Sequence, residues 1–184
     1  MIKLYGGARS RASIVKWYLE ELQAPHEFQL LDMQVGQHLQ PEFLAINPFG
    51  KVPAIADGDF LLWESGAILL YIADKYAEVK TLEERAIASQ WVLFANATLG
   101  PGLFGEENRE KETPRLLGGI NKILGNQSYI TGDSFTVSDV AVAAILGYAI
   151  LFIKISYEDY PAIDAYMKRI SDRPAYKKAI LGIE

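Results

Sequence analysis

Four short stretches of this chain carry residue types that can do chemistry. Ser10 follows Tyr5-Gly6-Gly7-Ala8-Arg9 at the start of an apolar-periodic run, so its hydroxyl meets the free N–H groups and positive end of a helix. Tyr5, at the end of a β-like run, offers a second hydroxyl. Val52-Pro53 opens another β-like run. A proline there cannot donate to a ladder, and a kinked or cis peptide leaves neighbouring backbone groups open to an added peptide strand. Glu64-Ser65 begins the next helical run, an end that favours an anion. Each stretch also has a structural reading: Ser10 and Ser65 as caps, Tyr5 as a core residue with a bonded tip, Val52-Pro53 as an edge-strand turn. The chain has no cysteine, which excludes disulfides, thiolate metal sites, a nucleophilic cysteine and CxxC chemistry. Any thiol chemistry must use a thiol from the ligand.

The elements that position these residues differ between the two halves. Ile2 to Tyr5 predicts a strand, and apolar Ile14, Val15, Tyr18, Leu19 and Leu22 predict a helix over 10–23. A second strand follows at 28–31 and a helical turn at 41–46, ended by Asn47-Pro48. Val52 to Ala56 and Phe60 to Leu62 flank Asp57-Gly58-Asp59 as a hairpin, and 65–76 closes the half as a helix. This order predicts an α/β domain over 1–76 built on one mixed sheet. Residues 77–83 read as a linker, and 84–184 as an all-helical domain. Its helices are expected at 84–104, with Ile87, Trp91, Phe94 and Ala95 on one face, and at 114–124, 137–153, 162–171 and 174–181. Thr136-Val-Ser-Asp139 reads as a capping box.

With 184 residues, half of them hydrophobic, the chain buries a core without staples. Acidic residues exceed basic ones, 23 against 18, without the clustered positive charge that phosphates or anionic headgroups select, so nucleic acid and membrane surfaces are poor partners. The first residues lack a signal-like apolar core, and the longest uncharged run, Val140 to Ile153, is too short to span a bilayer. A cytoplasmic location is expected. His26, the only histidine besides His38, has no metal-ligand partners at useful spacing.

The segment Asn47 to Ile55 (NPFGKVPAI), followed by Glu64 to Ile72 (ESGAILLYI), resembles the NPxGxVPxL and ESxAIxxYI motifs of cytosolic glutathione transferases. An LYxxxxS opening, the F-T-x-x-D pattern at Phe135 to Asp139, Tyr160-Pro161 and Arg173-Pro174-Ala175 extend the resemblance along the chain. It implies a thioredoxin-like N-terminal domain followed by an all-helical C-terminal domain. Glutathione is then the co-substrate, with no other cofactor, and a small hydrophobic electrophile is the partner to be conjugated. The resemblance further implies that Pro53 is cis and that Val52 pairs with the cysteinyl backbone of glutathione. Ser65 then takes its γ-glutamyl carboxylate and Glu64 its ammonium.

Ser10 matches the catalytic serine of serine-type classes. Tyr5 stands in the Y-x-x-A-R-x-R context of tyrosine-type ones and remains the alternative activator, while Arg9 and Arg11 add positive potential. His38 lies where one plant-type class carries a histidine and then a lysine toward the glycine end of glutathione. Here Leu39 replaces that lysine, and Lys51 stands as the substitute charge. Small bacterial chi-like members are the nearest class by opening and size, which suggests isothiocyanates or activated halides as electrophiles. A homodimer through the helices at 65–76 and 84–104 is expected. Cysteine-type deglutathionylation or dehydroascorbate reduction is disfavoured by the missing protein thiol. The rival reading is a non-catalytic scaffold that retains this fold.

Overall fold

The computed structural model of the chain describes residues 1–76 and 78–183; Ala77, the first residue of the expected linker, and Glu184, the last of the expected helical domain, lie outside the described residues. The chain forms two compact units, Met1–Ala77 with Ala175–Glu184, and Glu78–Pro174.

In the first unit β1 (Ile2–Gly6), α1 (Ala12–Glu21), β2 (His26–Leu30), a 3-10 turn (Gln37–Leu39), α2 (Pro41–Leu44), β3 (Ala54–Asp57), β4 (Phe60–Trp63) and α3 (Ser65–Lys75) follow one another. The mixed sheet has the order β2-β1-β3-β4, with β1 parallel to β2 and antiparallel to β3. This is the thioredoxin-like arrangement expected. Alternation along β1 buries Ile2, Leu4 and Gly6 and leaves Lys3 and Tyr5 on the other face. The buried face meets α1 and α3, whose Val15, Tyr18, Leu19, Ile68, Leu69 and Ile72 are almost wholly enclosed.

Two boundaries move relative to the sequence expectation, and both matter to the site. The first helix begins at Ala12, which leaves Ser10 in the turn before it. The hairpin strand begins at Ala54, so Val52 and Pro53 precede it rather than opening it. The tail also packs here: Tyr176 stacks edge-on against Trp17 at 4.9 Å, and Lys178 pairs with Glu20 at 2.8 Å.

The second unit is helical: α4 (Leu82–Phe94), α5 (Gly100–Phe104), α6 (Arg109–Leu124), α7 (Val137–Ile153) and α8 (Pro161–Ser171), with α9 (Pro174–Tyr176) at the return to the first unit. The stretch expected as one helix over 84–104 is interrupted by a π-turn at Ala95–Leu99. Pro101 explains it, since a proline inside a helix removes an N–H and crowds the carbonyl four residues back. The expected apolar face is also rotated. Ile87 is 46% exposed and Trp91 and Phe94 are half-buried; Ala95 enters the core as expected, together with Ala88, Val92 and Leu99. Small residues let α4 approach its neighbours, so the larger ones were a poor guide to the inward side. The sixth helix starts at Arg109 and carries Pro114 inside it, where the sequence suggested a start.

The capping box at Thr136 forms as expected, and Asp139 does more than close it. Its Oδ2 accepts from the Thr136 N–H at 2.9 Å, while Oδ1 accepts from the Ile130 N–H at 2.8 Å and the Tyr166 hydroxyl at 2.9 Å. One buried carboxylate thereby joins the loop before α7, the start of α7 and the middle of α8. A second capping box, Thr81 with Glu84, starts α4.

Candidate functional site

The hairpin register brings two of the motif segments together. Ala54 opposite Trp63 is the last pair of the β3–β4 ladder, so Val52-Pro53 and Glu64-Ser65 leave the sheet side by side at the same end. Tyr5 lies opposite Ala54 in the neighbouring ladder, and the Gly7–Ser10 turn therefore starts from that end as well.

The Val52–Pro53 peptide is cis. Neither the N–H nor the C=O of Val52 has a backbone or side-chain partner among the described residues. The preceding turn is held by Asn47, which is 2% exposed. Its Nδ2 donates to the Lys51 carbonyl at 2.7 Å, its Oδ1 accepts from the Phe49 N–H at 3.1 Å, and its own carbonyl accepts from the Gly50 N–H at 3.0 Å. Gly50 has φ +60°, and a Cβ there would meet the His38 carbonyl at 3.0 Å, so only glycine lets the two segments approach. Sequence reasoning quoted Asn47 within the motif but missed its task. Asn47→Ala is expected to loosen Val52 and raise the KM for glutathione about tenfold while kcat changes little, since about 1–3 kcal/mol follows the loss of such a buried partner. Steady-state kinetics at varied glutathione check it; a KM unchanged in a folded variant contradicts the role.

Glu64 has φ +72° and ψ 116°, a conformation rare for a residue with a side chain, and such outliers gather at binding sites. It precedes α3 without a side-chain cap. Ser65 is 4% exposed, yet its hydroxyl makes no hydrogen bond among the described residues. The start of α3 thus offers free N–H groups, an uncommitted hydroxyl and an adjacent exposed carboxylate. An α-amino acid headgroup needs that combination.

The Ser10 hydroxyl is committed to its own turn. It accepts from the Gly7 N–H at 3.1 Å and the Ala12 N–H at 3.3 Å, and donates to the Gly7 carbonyl at 3.0 Å. Two N–H donors fix the oxygen in place and withdraw charge from it, which strengthens the O–H as a donor to any anion that arrives. Arg9 and Arg11 are exposed on either side.

Tyr5 lies elsewhere. Its ring faces α2, 5.8 Å from Phe43, and lines a cavity of about 430 Å³ with Gln29, Gln40 and Glu42. Of the remaining expected residues, Lys51 is exposed and makes no ion pair among the described residues. His38 is half-buried, and its Nδ1 is enclosed without a partner among the described residues. Trp91 and Phe94 line a groove of about 340 Å³ with Leu116 and Ile120, Leu103 is fully buried, and Tyr148 stacks on Phe152. Among the described residues no cluster of histidine and carboxylate side chains could hold a metal ion.

The sequence matches the family model of the glutathione S-transferase N-terminal domain over residues 1–74 and that of the C-terminal domain over 103–179. It is 33% identical to the disulfide-bond oxidoreductase YfcG of Escherichia coli, covering 98% of this chain and 95% of that one. The glutathione S-transferase GstB of the same organism is 30% identical, with 98% of both chains covered. Among solved structures, a glutathione transferase family member from Pseudomonas fluorescens with two glutathione bound superposes with a TM-score of 0.86 at 28% identity, covering 97% of this chain and 91% of that one. One from Burkholderia graminis, with two glutathione molecules bound per subunit, gives 0.81 at 30% identity, covering 97% and 86%. Matching over nearly their whole length to named transferases, both halves place this chain in the glutathione S-transferase family, as a glutathione transferase rather than a scaffold on the same fold.

Proposed function

We propose that this transferase conjugates the glutathione thiolate to small apolar electrophiles, activated halides or isothiocyanates among them, as a serine-type enzyme. The observation that carries the reading is the pairing, at one end of the sheet, of Val52 with both backbone groups unpaired and an uncapped α3 start with a free Ser65 hydroxyl. An extended γ-glutamyl tripeptide matches both: its middle residue adds to Val52 as a short strand, and its γ-glutamyl carboxylate lies on the Ser65 hydroxyl and α3 N–H groups. Glu64 takes the ammonium, and Lys51, His38 and Arg11 serve the glycine end and the surrounding potential. Ser10 donates to the sulfur, its O–H turning from the Gly7 carbonyl while the Gly7 and Ala12 N–H groups keep the oxygen in place. A free thiol with pKa near 8.5 is only a few per cent ionised at pH 7, and a donor beside a helix start raises that fraction.

Ser65→Ala tests the reading. A hydrogen bond to a charged group is worth about 1.5–3 kcal/mol, so glutathione affinity is expected to fall about 10- to 100-fold by calorimetric titration. Because the hydroxyl caps nothing in the free protein, thermal stability is expected to stay within about 0.5 kcal/mol of the parent. A loss of stability with unchanged affinity overturns the assignment. Turnover of a panel of halides and isothiocyanates identifies the electrophile class.

A second reading has its own support. The relative YfcG is named a disulfide-bond oxidoreductase, and the two structures above each hold two glutathione molecules. In a chain without cysteine both thiols of a disulfide exchange come from the ligand: one glutathione thiolate displaces a thiol from the substrate disulfide, and a second releases oxidised glutathione. Reduction of a small hydroxyalkyl disulfide at the expense of two glutathiones, against a negligible halide rate, favours this reading over conjugation.

A cytoplasmic homodimer completes the proposal. Leu82, Ile87 and Leu93 on α4 are 78%, 46% and 62% exposed, apolar surface that a second copy would cover, with α3 contributing as expected from sequence. Sedimentation that gives a monomer mass contradicts it. No helix among the described residues is long and apolar enough to cross a membrane.

A further inference from the structure

We infer that Met33 is a positioning residue for the thiol-activating hydroxyl, acting through Gly7. The inference rests on the reading of Ser10 as the donor to sulfur. Both backbone groups of Gly7 are bonded to the Ser10 hydroxyl, so wherever Gly7 sits, the oxygen sits with it. Met33 covers Gly7 from the loop after β2. A Cβ added to Gly7 would lie 2.8 Å from Met33 Cγ and 3.4 Å from its Sδ, with Ser10 Cβ at 3.8 Å from the same point. The thioether is therefore in close contact with the turn that holds Ser10.

The loop that carries Met33 is itself fixed. The Leu31 N–H donates to the Gly6 carbonyl at 2.8 Å, which ties the loop to the end of β1. The Asp32 side chain accepts from the N–H groups of Gln34 at 2.9 Å and Val35 at 3.3 Å, and the Gln37 side chain accepts from the Asp32 N–H at 2.7 Å. Met33 is 37% exposed, so its contribution to the core is small. Its contact with Gly7 is what it adds. Gly7 does not have the positive φ that demands glycine, and among the described residues only Met33 comes within 3 Å of a Cβ placed there.

The pair gives a reciprocal test on the full-length enzyme, read as the pH dependence of kcat/KM with an activated halide. Met33→Ala, which removes the cover, is expected to raise the pH midpoint by about half a unit and to lower kcat/KM at pH 7 about threefold, with the KM for glutathione and the melting temperature nearly unchanged. Met33→Leu, which refills the space, returns the midpoint. Gly7→Ala pushes Met33 aside and shifts the midpoint further, and adding Met33→Ala to it recovers part of the loss. An unmoved midpoint in folded Met33→Ala overturns the inference, as does a Gly7→Ala defect that Met33→Ala leaves untouched. Ser10→Ala measured alongside separates the two claims: if it moves the profile while Met33→Ala does not, only the role of Met33 fails. If neither moves it, the Ser10 reading fails as well.

Discussion

Ser10→Ala is expected to lower kcat/KM for an activated halide at pH 7 by about 10- to 30-fold, the limit set by a free thiol that is about 3% ionised there, and to move the rate profile about one to two units toward higher pH. The size follows from a hydrogen bond to a charged acceptor, about 1.5–3 kcal/mol, at 1.36 kcal/mol per pKa unit. The direction follows from which form the bond favours. As the proposed donor, Ser10 favours the thiolate, so the parent should hold its sulfur ionised above a depressed pKa, and the variant should reach the same fraction only at higher pH. Above both values the two rates should converge, because the thiolate then forms without help. A loss that persists undiminished at high pH would mean that the substitution had damaged something other than ionisation. The oxygen also accepts from Gly7 and Ala12, so the alanine variant should lose about 1 kcal/mol of stability as a cap does. Ser10→Thr keeps the hydroxyl and should recover most of the rate. Tyr5→Phe should do little, since the tyrosine ring packs with Phe43 on the α2 face. If Tyr5→Phe instead abolishes turnover and Ser10→Ala leaves the profile in place, the chain works as a tyrosine-type enzyme.

What the sequence made legible was local. The alternation of β1, the hairpin at Asp57-Gly58-Asp59 and the capping box at Thr136 all depend on residues within a few positions of one another, and each is present. The motif segments could be matched to glutathione because Val52-Pro53 and Glu64-Ser65 carry chemistry in their own residue types. Asn47 and Met33 were harder. Asn47 acts on Lys51 and Phe49 through a buried side chain whose value depends on the turn closing around it. Met33 reaches Gly7 across a gap of 26 residues, which no periodicity signals. The rotated face of α4 failed for a related reason. Ala95 was placed correctly, but the inward side also runs through Ala88, where close approach is possible, and a small residue weighs little in a hydrophobic pattern. Sequence ranked Ser10 ahead of Tyr5 by its place at a helix start, but could not show that the pleat of β1 sends the Tyr5 ring toward α2 while the Ser10 hydroxyl stays in its turn.

The largest effect on stability is expected at Asp139. Asp139→Ala should destabilise the protein by about 3–5 kcal/mol, because it removes a cap and leaves the Ile130 and Thr136 N–H groups and the buried Tyr166 hydroxyl without their acceptor. For a chain of this size that corresponds to a melting temperature lower by roughly 10 °C. Asp139→Asn should recover less than half of it. Both carboxylate oxygens accept hydrogen bonds, and an amide turns one of them into a donor facing the donors already there. Burial pushes the Asp139 carboxyl above its ordinary value, against the pull of the Ile130, Thr136 and Tyr166 donors. A carboxyl raised on folding contributes most below its unfolded pKa, about 3.9, and that contribution is lost as pH rises through the folded value. The cost of Asp139→Ala should therefore be larger near pH 3.5 than at pH 7 when both proteins are unfolded in urea. A cost under 1 kcal/mol would show that the carboxylate is not what joins the α7 start to α8, and one that grows with pH would show that the Ile130, Thr136 and Tyr166 donors outweigh burial and lower its folded pKa instead. Glutathione affinity per folded molecule should be unchanged throughout, since every group proposed to hold it lies in the other unit.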